Sequence, residues 1–351
     1  MVCSESLDET QSWVHNTLRD ASFQEHQSSK SSVGAGVLRS PMQLAVEDRI
    51  QQYGDLSQSY SNRDLTYQED GINAFSGIMR CFEEKGYHKG FIWGCPIEDL
   101  NWALCWRSQS GQQRRREGFP SWAWVGWIGG LFPGLPVEPK NPHQSPVFLQ
   151  ISRVGNDGAT HDVFKQTACR HTDIDPFGDV PYIWRYEDDP LVDLEDQPAV
   201  QDASLSKEAP IKAGTVGLMI EGATIQIRRK YIRTPTWYDQ HGSDRRLKYK
   251  LDVPGTECKL DIAIADRELL NLEGQNETEE DSSIGAGDTR LLILARDNCI
   301  IDDLHHYLLV LRYNRASGFC ERLTTMTLMM PDDKAKVLRA LNIKRERLIL
   351  V

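Results

Sequence analysis

The chain has 351 residues, 40% of them apolar and 26% charged, with a formal net charge of −11. That length accommodates two domains and a sizeable core, and the lack of any run of about 18 apolar residues excludes an integral helical membrane protein. The charge sits mostly in two segments, 187–208 and 273–288, which together carry −13, leaving about +2 for the rest of the chain. Acidic runs of this kind stay solvated and do not by themselves point to a cationic ligand.

The opening MVCSESLDETQSW lacks the basic flank and apolar run of a secretory signal. A cytoplasmic location is therefore expected, which lowers the weight of the Asn276-Glu277-Thr278 sequon. The eight cysteines are scattered without a C-x-x-C pair, so reduced, mostly buried thiols are expected rather than a zinc ribbon or a redox motif.

In chain order, residues 1–55 read as a poorly ordered lead-in without a sustained apolar period, apart from a short helix over Glu5 to Leu18. The stretch LTYQEDGINAFSGIMRCFEEKG sets Ile72, Phe75, Ile78, Met79 and Phe82 on one stripe at helical spacing, with Asp70 placed to cap its start and Gly86 to end it. A second helix is expected in PIEDLNWALCWRS, where Pro96 suits a first helical position and Leu100, Ala103, Leu104 and Trp106 supply an apolar face. Residues 56–118 thus form a helical segment.

Then comes FPSWAWVGWIGG, part of a region from Trp93 to Trp127 that holds six of the nine tryptophans. SWAWVGW alternates like a strand, with Trp122 and Trp124 on one face and Ala123 and Val125 on the other. The runs PVFLQISRV, TVGLMIEGATIQIRRKYI, LKYKLDVPG, RLLILARD and HYLLVLRYN favour strands, and a late helix over Asp332–Leu341 precedes a closing strand ERLILV. No helical crossovers separate most of these strands, so 119–351 reads as one β-rich domain. The expected class is α+β: a small helical N-terminal part packed on a mainly antiparallel β domain, sandwich- or barrel-like.

The chemistry-bearing motifs are sparse. Gly34-Ala-Gly36 and Gly285-Ala-Gly287 begin a G-x-G but have Arg39 and Arg290 where the third glycine belongs, and neither lies in a strand–turn–helix context. Cys169, His171 and Asp173 would share a face of an extended strand but lack a second ligand pair, so no metal is assigned. His305-His306 reads as a strand-edge pair. The carboxylates Glu98, Asp99 and Glu117 beside the tryptophans leave a glycosidase reading conceivable, since two carboxylates about 5–10 Å apart would be needed. No cofactor and no catalytic residue is assigned.

A basic and aromatic stretch, 228–250, contains Arg228, Arg229, Lys230, Arg233, Arg245, Arg246, Lys248 and Lys250, with Trp237, Tyr238 and Tyr249 among them. Arg228, Arg229, Lys230, Arg233, Lys248 and Lys250 make a candidate anionic-ligand patch. In LKYKLDV, however, the lysines alternate with Leu247, Tyr249 and Leu251, the pattern of a half-buried strand's solvated face. Arg114-Arg115-Arg116 reads as a loop.

Three ordered stretches, YSNRDLTYQEDGINAFSGIMRCF (60–82), GFIWGCPIEDLNWALCWR (90–107) and RRREGFPSWAWVGWIG (114–129), resemble the conserved stretch of fungal heterokaryon-incompatibility (HET) domain proteins. The family pattern is Y-S-x-R-x-L-T-Y, D-x-x-N-A-F-x-G-I, W-G-x-P, a helix with A-L-x-W, and F-P-S-W-S-W-x-G-W. Arg63, Asp70, Asn73 and Phe75 match its first elements, Trp93 and Trp106 the next, and Pro120, Trp122, Trp124 and Trp127 the last. The family's N-terminal motifs, L-S-Y-x-W-G, W-I-D-x-x-C-I-x-Q and W-x-R-x-W-x-x-Q-E, do not occur in residues 1–55.

In the family that N-terminal domain is associated with triggering cell death after non-self recognition, and it is similar to TIR-type modules, some of which cleave NAD. The resemblance therefore implies a HET-related chain reduced to its C-terminal half, a natural short paralogue or a truncated gene model. It also implies a non-enzymatic regulatory or recognition role through a protein partner. Two other readings stay open: an accessory enzyme of fungal metabolism with its site in a β-domain pocket, and an RNA- or anionic-lipid-binding module using 228–250. Nucleic acid is the less favoured partner and a small-molecule ligand is left open.

Overall fold

In the computed structural model, the described residues are 49–73, 75–84, 86–108, 114–133, 147–155, 159–167, 190–199, 217–225, 227–228, 232–237, 247–253, 259–264, 283–284, 289–298, 304–330 and 334–351. Both glycine pairs, the Cys169–Asp173 cluster, the Asn276 sequon and most of the two acidic segments lie outside them. Among the described residues no helix is long and apolar enough to cross a membrane. The architecture is mixed α+β, with short helices before a mostly antiparallel sheet.

The first helix, α1 (Arg49–Ser61), begins inside the segment expected to be a lead-in. Its buried residues Ile50, Tyr53, Ser57 and Tyr60 recur at helical spacing. The expected helix from Asp70 is divided into a 3-10 turn, Gln68–Gly71, and α2, Ser76–Glu83. Gly71 is the pinned point: its carbonyl accepts from Tyr60 Oη at 3.0 Å, and a Cβ there would stand 2.4 Å from Arg116 Nη1. Asp70 does not cap a helix; its carboxylate meets Asn73 Nδ2 at 3.4 Å.

A hairpin, β1 (Phe91–Ile92) and β2 (Cys95–Pro96), takes Pro96 out of the expected second helix, which shrinks to one turn, α3 (Leu100–Ala103). That helix stops because the carbonyls of Leu104 and Trp106 turn to accept from Arg322. Two short pairings follow among β3 (Arg107–Ser108), β4 (Arg114–Arg115), β5 (Trp127–Ile128) and β6 (Leu131–Phe132), with β3 on β6 and β4 on β5. A β1–β2 pairing completes this small-ribbon layer.

The main sheet has ten strands. They are β7 (Leu149–Val154), β8 (Thr160–Gln166), β9 (Gly217–Ile225), β11 (Ile232–Trp237), β12 (Leu247–Asp252), β13 (Lys259–Ile264), β15 (Thr289–Asn298), β16 (Leu304–Asn314), β17 (Phe319–Met330) and β18 (Lys344–Leu350). A separate short pair joins β10 (Ile227–Arg228) to β14 (Ser283–Ile284). The order is β11-β12-β13-β17-β16-β15-β9-β7-β8, and β18 bridges β9 and β17. Strands β9, β15, β16, β17 and β18 therefore close a ring of hydrogen bonds. It is not a true barrel, because β17 and β18 meet through one parallel pair, Cys320 with Leu350. Helix α5 (Lys334–Ala340) makes the crossover that a parallel pair needs; α4 (Pro190–Asp193) and a 3-10 turn (Leu194–Asp196) precede β9.

Strands β15 and β16 are buried on both faces, which accounts for the unbroken apolar runs LLILA and LLVL. Leu292, Leu294, Leu309 and Leu311 join one core with the aromatic segment, including Phe75, Trp102, Trp106, Trp122 and Trp124. Leu291, Ile293, Leu308 and Val310 join another with Leu191, Leu194, Val337 and Leu338 from the short helices. On the second side Glu221 of β9 takes Arg345 and Arg347 of β18, and Arg345 also donates to the carbonyls of Glu195 and Gln197.

Candidate functional site: the tryptophan segment and its arginines

Trp122 is fully buried and Trp124 is 3% exposed, yet they do not lie on a strand. Ser121–Ala123 form a turn and Trp124–Gly126 a 3-10 turn, and only Trp127 and Ile128 are extended in β5. The reason lies in the donors around the segment. Every carbonyl from Phe119 to Gly126 accepts a hydrogen bond, and most donors are side chains rather than a neighbouring strand.

Arg115 donates to the carbonyls of Phe119, Pro120 and Gly126. Trp127 Nε1 donates to Ser121 O at 2.8 Å and Trp106 Nε1 to Trp122 O at 3.1 Å. Gly126 N and Trp127 N reach the carbonyls of Ala123 and Trp124, and Arg116 Nη1 reaches Val125 O at 2.6 Å. Buried backbone groups need partners, and here indoles and guanidiniums supply them. Gly126 is required sterically: a Cβ would stand 2.4 Å from Pro120 O.

The segment is fastened to distant parts of the chain. Trp124 Nε1 donates to Tyr53 Oη on α1 at 3.0 Å, and Tyr53 Oη donates to Gly94 O at 3.0 Å. The Trp124 ring meets Phe75 and Tyr60 edge-on at 5.0 and 5.8 Å. Ser121 bonds the carbonyl of Val351 through both its amide and its hydroxyl, and that hydroxyl also accepts from Arg322 N at 3.2 Å. A small cavity of about 10 Å³ between Tyr53, Ser57, Trp102, Trp106, Trp124 and Leu131 has the volume of a single water.

Arg322 is the second centre. It is 1% exposed, donates to Leu104 O at 2.5 Å and to Trp106 O, and stacks 3.6 Å from the Trp106 ring centroid. Burial lowers its guanidinium to about 9, opposed by the nearby Cys105 and Cys95 thiols. Burial in turn pushes both thiols up to about 12, with Arg322 acting the other way.

The signature residues separate into two groups. Phe75, Trp106, Pro120, Trp122 and Trp124 are buried in this core, Trp93 and Trp127 are half-buried at its edge, and Arg63, Asp70 and Asn73 are exposed. Arg63 stands 5.9 Å from the Tyr60 ring. Trp93 is strained: its φ of 50° is left-handed, which costs a bulky residue about 1–2 kcal/mol.

The remaining candidates fall elsewhere. Arg228 lies in β10, Arg233 in β11, and Lys248 and Lys250 in β12; Arg229 and Lys230 lie outside the described residues. The register sets Arg233 opposite Lys250 and Lys248 opposite Thr236, while Trp237 pairs with Leu247. Along β12, Lys248 and Lys250 alternate with Leu247, Tyr249 and Leu251. Asp99 is held by Arg49 at 3.0 and 3.3 Å, and Glu98 Oε1 accepts from Lys89 N at 2.6 Å. Among the described residues no group of His, Cys, Asp and Glu is arranged to hold a metal. His306 is fully buried in β16.

No family model, curated protein or solved structure matches the chain.

The residues that sequence reasoning missed are Tyr53, Arg115, Arg116 and Arg322. Tyr53 had a signal in the spacing Ile50, Tyr53, Ser57, Tyr60. Arg322 had none, because its partners lie more than 200 positions away.

Proposed function

We propose that the chain is a HET-related regulatory or recognition protein of the fungal incompatibility class, acting through protein contacts without catalysis of its own. The observation that carries this reading is the convergence of the family-like residues Phe75, Trp106, Trp122 and Trp124 in one core, with their indole and backbone groups committed inside the molecule. Side chains so committed build a scaffold. The neighbouring Asp99 is likewise bonded to Arg49. A scaffold of this kind holds a surface in place for a partner.

The test is expression of the folded chain in a filamentous fungus that carries an incompatible allele pair, with dead compartments scored by vital dye at the contact zone. The reading expects the dead fraction to shift in either direction relative to an empty-vector strain. An unchanged fraction at confirmed expression contradicts it. Purified protein is expected to leave NAD intact, and turnover that survives repurification contradicts the non-catalytic part.

A further inference from the structure

The β1–β2 hairpin turns through Trp93 and Gly94, whose φ angles are 50° and 83°. A two-residue loop with both φ angles positive is the type I′ class, for which Asn-Gly is a favoured pair. Gly94 has two reasons to be there. Its φ is left-handed, and a Cβ would stand 3.2 Å from Val125 Cγ1 and 3.3 Å from Trp124 Cζ2. Its carbonyl is held by Tyr53 Oη at 3.0 Å and by Trp124 Nε1 at 3.4 Å.

The surroundings therefore impose the turn, and the side chain of Trp93 does not help to make it. Trp93 is half-buried and meets Phe119 edge-on at 5.5 Å. Its indole N–H has no acceptor among the described residues, whereas Trp106, Trp124 and Trp127 all donate. Trp93 packs on the edge of the core, and a strained tryptophan that leaves its indole N–H unused there points to a contact outside the molecule.

Its neighbours indicate what that contact is. Phe119 lies between Trp93 and two guanidiniums: Arg116 is 5.7 Å from its ring, and Arg115 donates to its carbonyl. Arg115 in turn stacks 4.8 Å from the half-buried Trp127 ring. Among the described residues neither arginine bonds a carboxylate; their acceptors there are backbone carbonyls and the side chain of Gln68. Glu321 acts on Arg115 only through space. The strip Trp93–Phe119–Arg115–Trp127 is aromatic and cationic on a chain of net charge −11, and Trp and Arg are the residue types that dominate binding hot spots.

We propose that this strip docks an acidic, apolar-containing segment of a partner protein, with Trp93 as the contact residue. The inference rests on the protein-contact reading above and gives it a surface. Carboxylates of the segment meet the exposed guanidinium of Arg115, and an apolar side chain packs on Trp93 and Phe119.

The experiment uses the full chain and a fluorescein-labelled peptide alternating glutamate with leucine and phenylalanine, with a lysine-for-glutamate peptide as control. Trp93→Asn is measured first for Tm, since asparagine tolerates a positive φ. The expected result is a Tm at or above the parent's, about tenfold weaker binding of the acidic peptide, binding that weakens as salt rises, and no binding of the lysine peptide. A clear fall in Tm shows that Trp93 serves packing and overturns the proposal, as does equal peptide binding by parent and Trp93→Asn, or no binding by the parent. The two readings fail separately. Trp93→Asn that matches the parent in both peptide binding and fungal assay sinks this surface alone, whereas a parent that binds the peptide but leaves cell death unchanged sinks the incompatibility role alone.

Discussion

The guanidinium of Arg322 lies 3.6 Å from the centroid of the Trp106 ring while donating to that residue's own carbonyl. Strand β17 is thereby joined to the turn after α3, more than 200 positions earlier in the chain. Thr325 adds a bond to the same carbonyl at 3.1 Å. A cation buried without a carboxylate is costly, and carbonyl dipoles with an aromatic face are what offset the loss of water here.

Arg322→Met is expected to destabilise by about 2–4 kcal/mol, since two charge-assisted bonds are lost and Leu104 O is left without its donor. Arg322→Lys should recover little, because an ammonium has no planar fork to span two carbonyls and stack on an indole. Urea denaturation of the three proteins checks this; a lysine variant as stable as the parent would count against the fork geometry.

Trp122→Ala and Trp124→Ala are each expected to cost about 3–5 kcal/mol, as large core truncations do. Tyr53→Phe should cost about 1–2 kcal/mol, by leaving Trp124 Nε1 and Gly94 O short of partners. Thermal melts of the three variants give the ranking, and a tryptophan variant with the parent's Tm would show that these rings are not core.

Much of the sheet was legible in the sequence. LLILA and LLVL are apolar at every position because both faces of β15 and β16 are covered, and α5 with β18 lies where the late helix and closing strand were expected. Strand β17 was not legible: FCERLTTMTLMM places Arg322, Thr324 and Thr325 where a buried strand carries aliphatic residues, and at least Arg322 and Thr325 are satisfied by carbonyls from the other end of the chain. Edge strand β8, THDVFKQ, is polar and largely exposed. The tryptophan segment alternated like a strand, but its backbone partners are Arg115, Arg116, Trp106 and Trp127, a pattern that periodicity does not encode.

Burial raises the thiols of Cys95, Cys105 and Cys320 from 9 to about 12. Below pH 9 all three hold their protons in the folded and unfolded states alike, so their contribution to stability is fully present. Above pH 9 the unfolded chain releases protons that the folded chain keeps, and stability falls by about 1 kcal/mol per pH unit for each thiol until the folded values are reached. Melting curves from pH 8 to about 11 should steepen accordingly, and Cys320→Ala should flatten the slope. An unchanged slope would place that thiol in contact with water.

At the acid end Glu221 acts in the opposite direction. Burial works against its ionisation, but hydrogen bonds from Arg347 and Arg345 outweigh it and hold the carboxyl below 4.5. Its contribution is present above that value and is lost as pH falls through the depressed folded one. Glu221→Gln should lower Tm at pH 7 and narrow the gap to the parent as pH drops below about 4. A gap that stays constant with pH would mean that the pair contributes through packing alone.

The tryptophan segment is the joint between the α1–β6 region and the main sheet. Equilibrium unfolding in urea, followed by tryptophan fluorescence and by far-ultraviolet circular dichroism on the same samples, tests it most directly. Coincident transitions are expected for the parent, and in Trp124→Ala both midpoints should move down together. A fluorescence transition that precedes an unaltered circular-dichroism transition would contradict it, because the aromatic layer would then be leaving a sheet that stands without it.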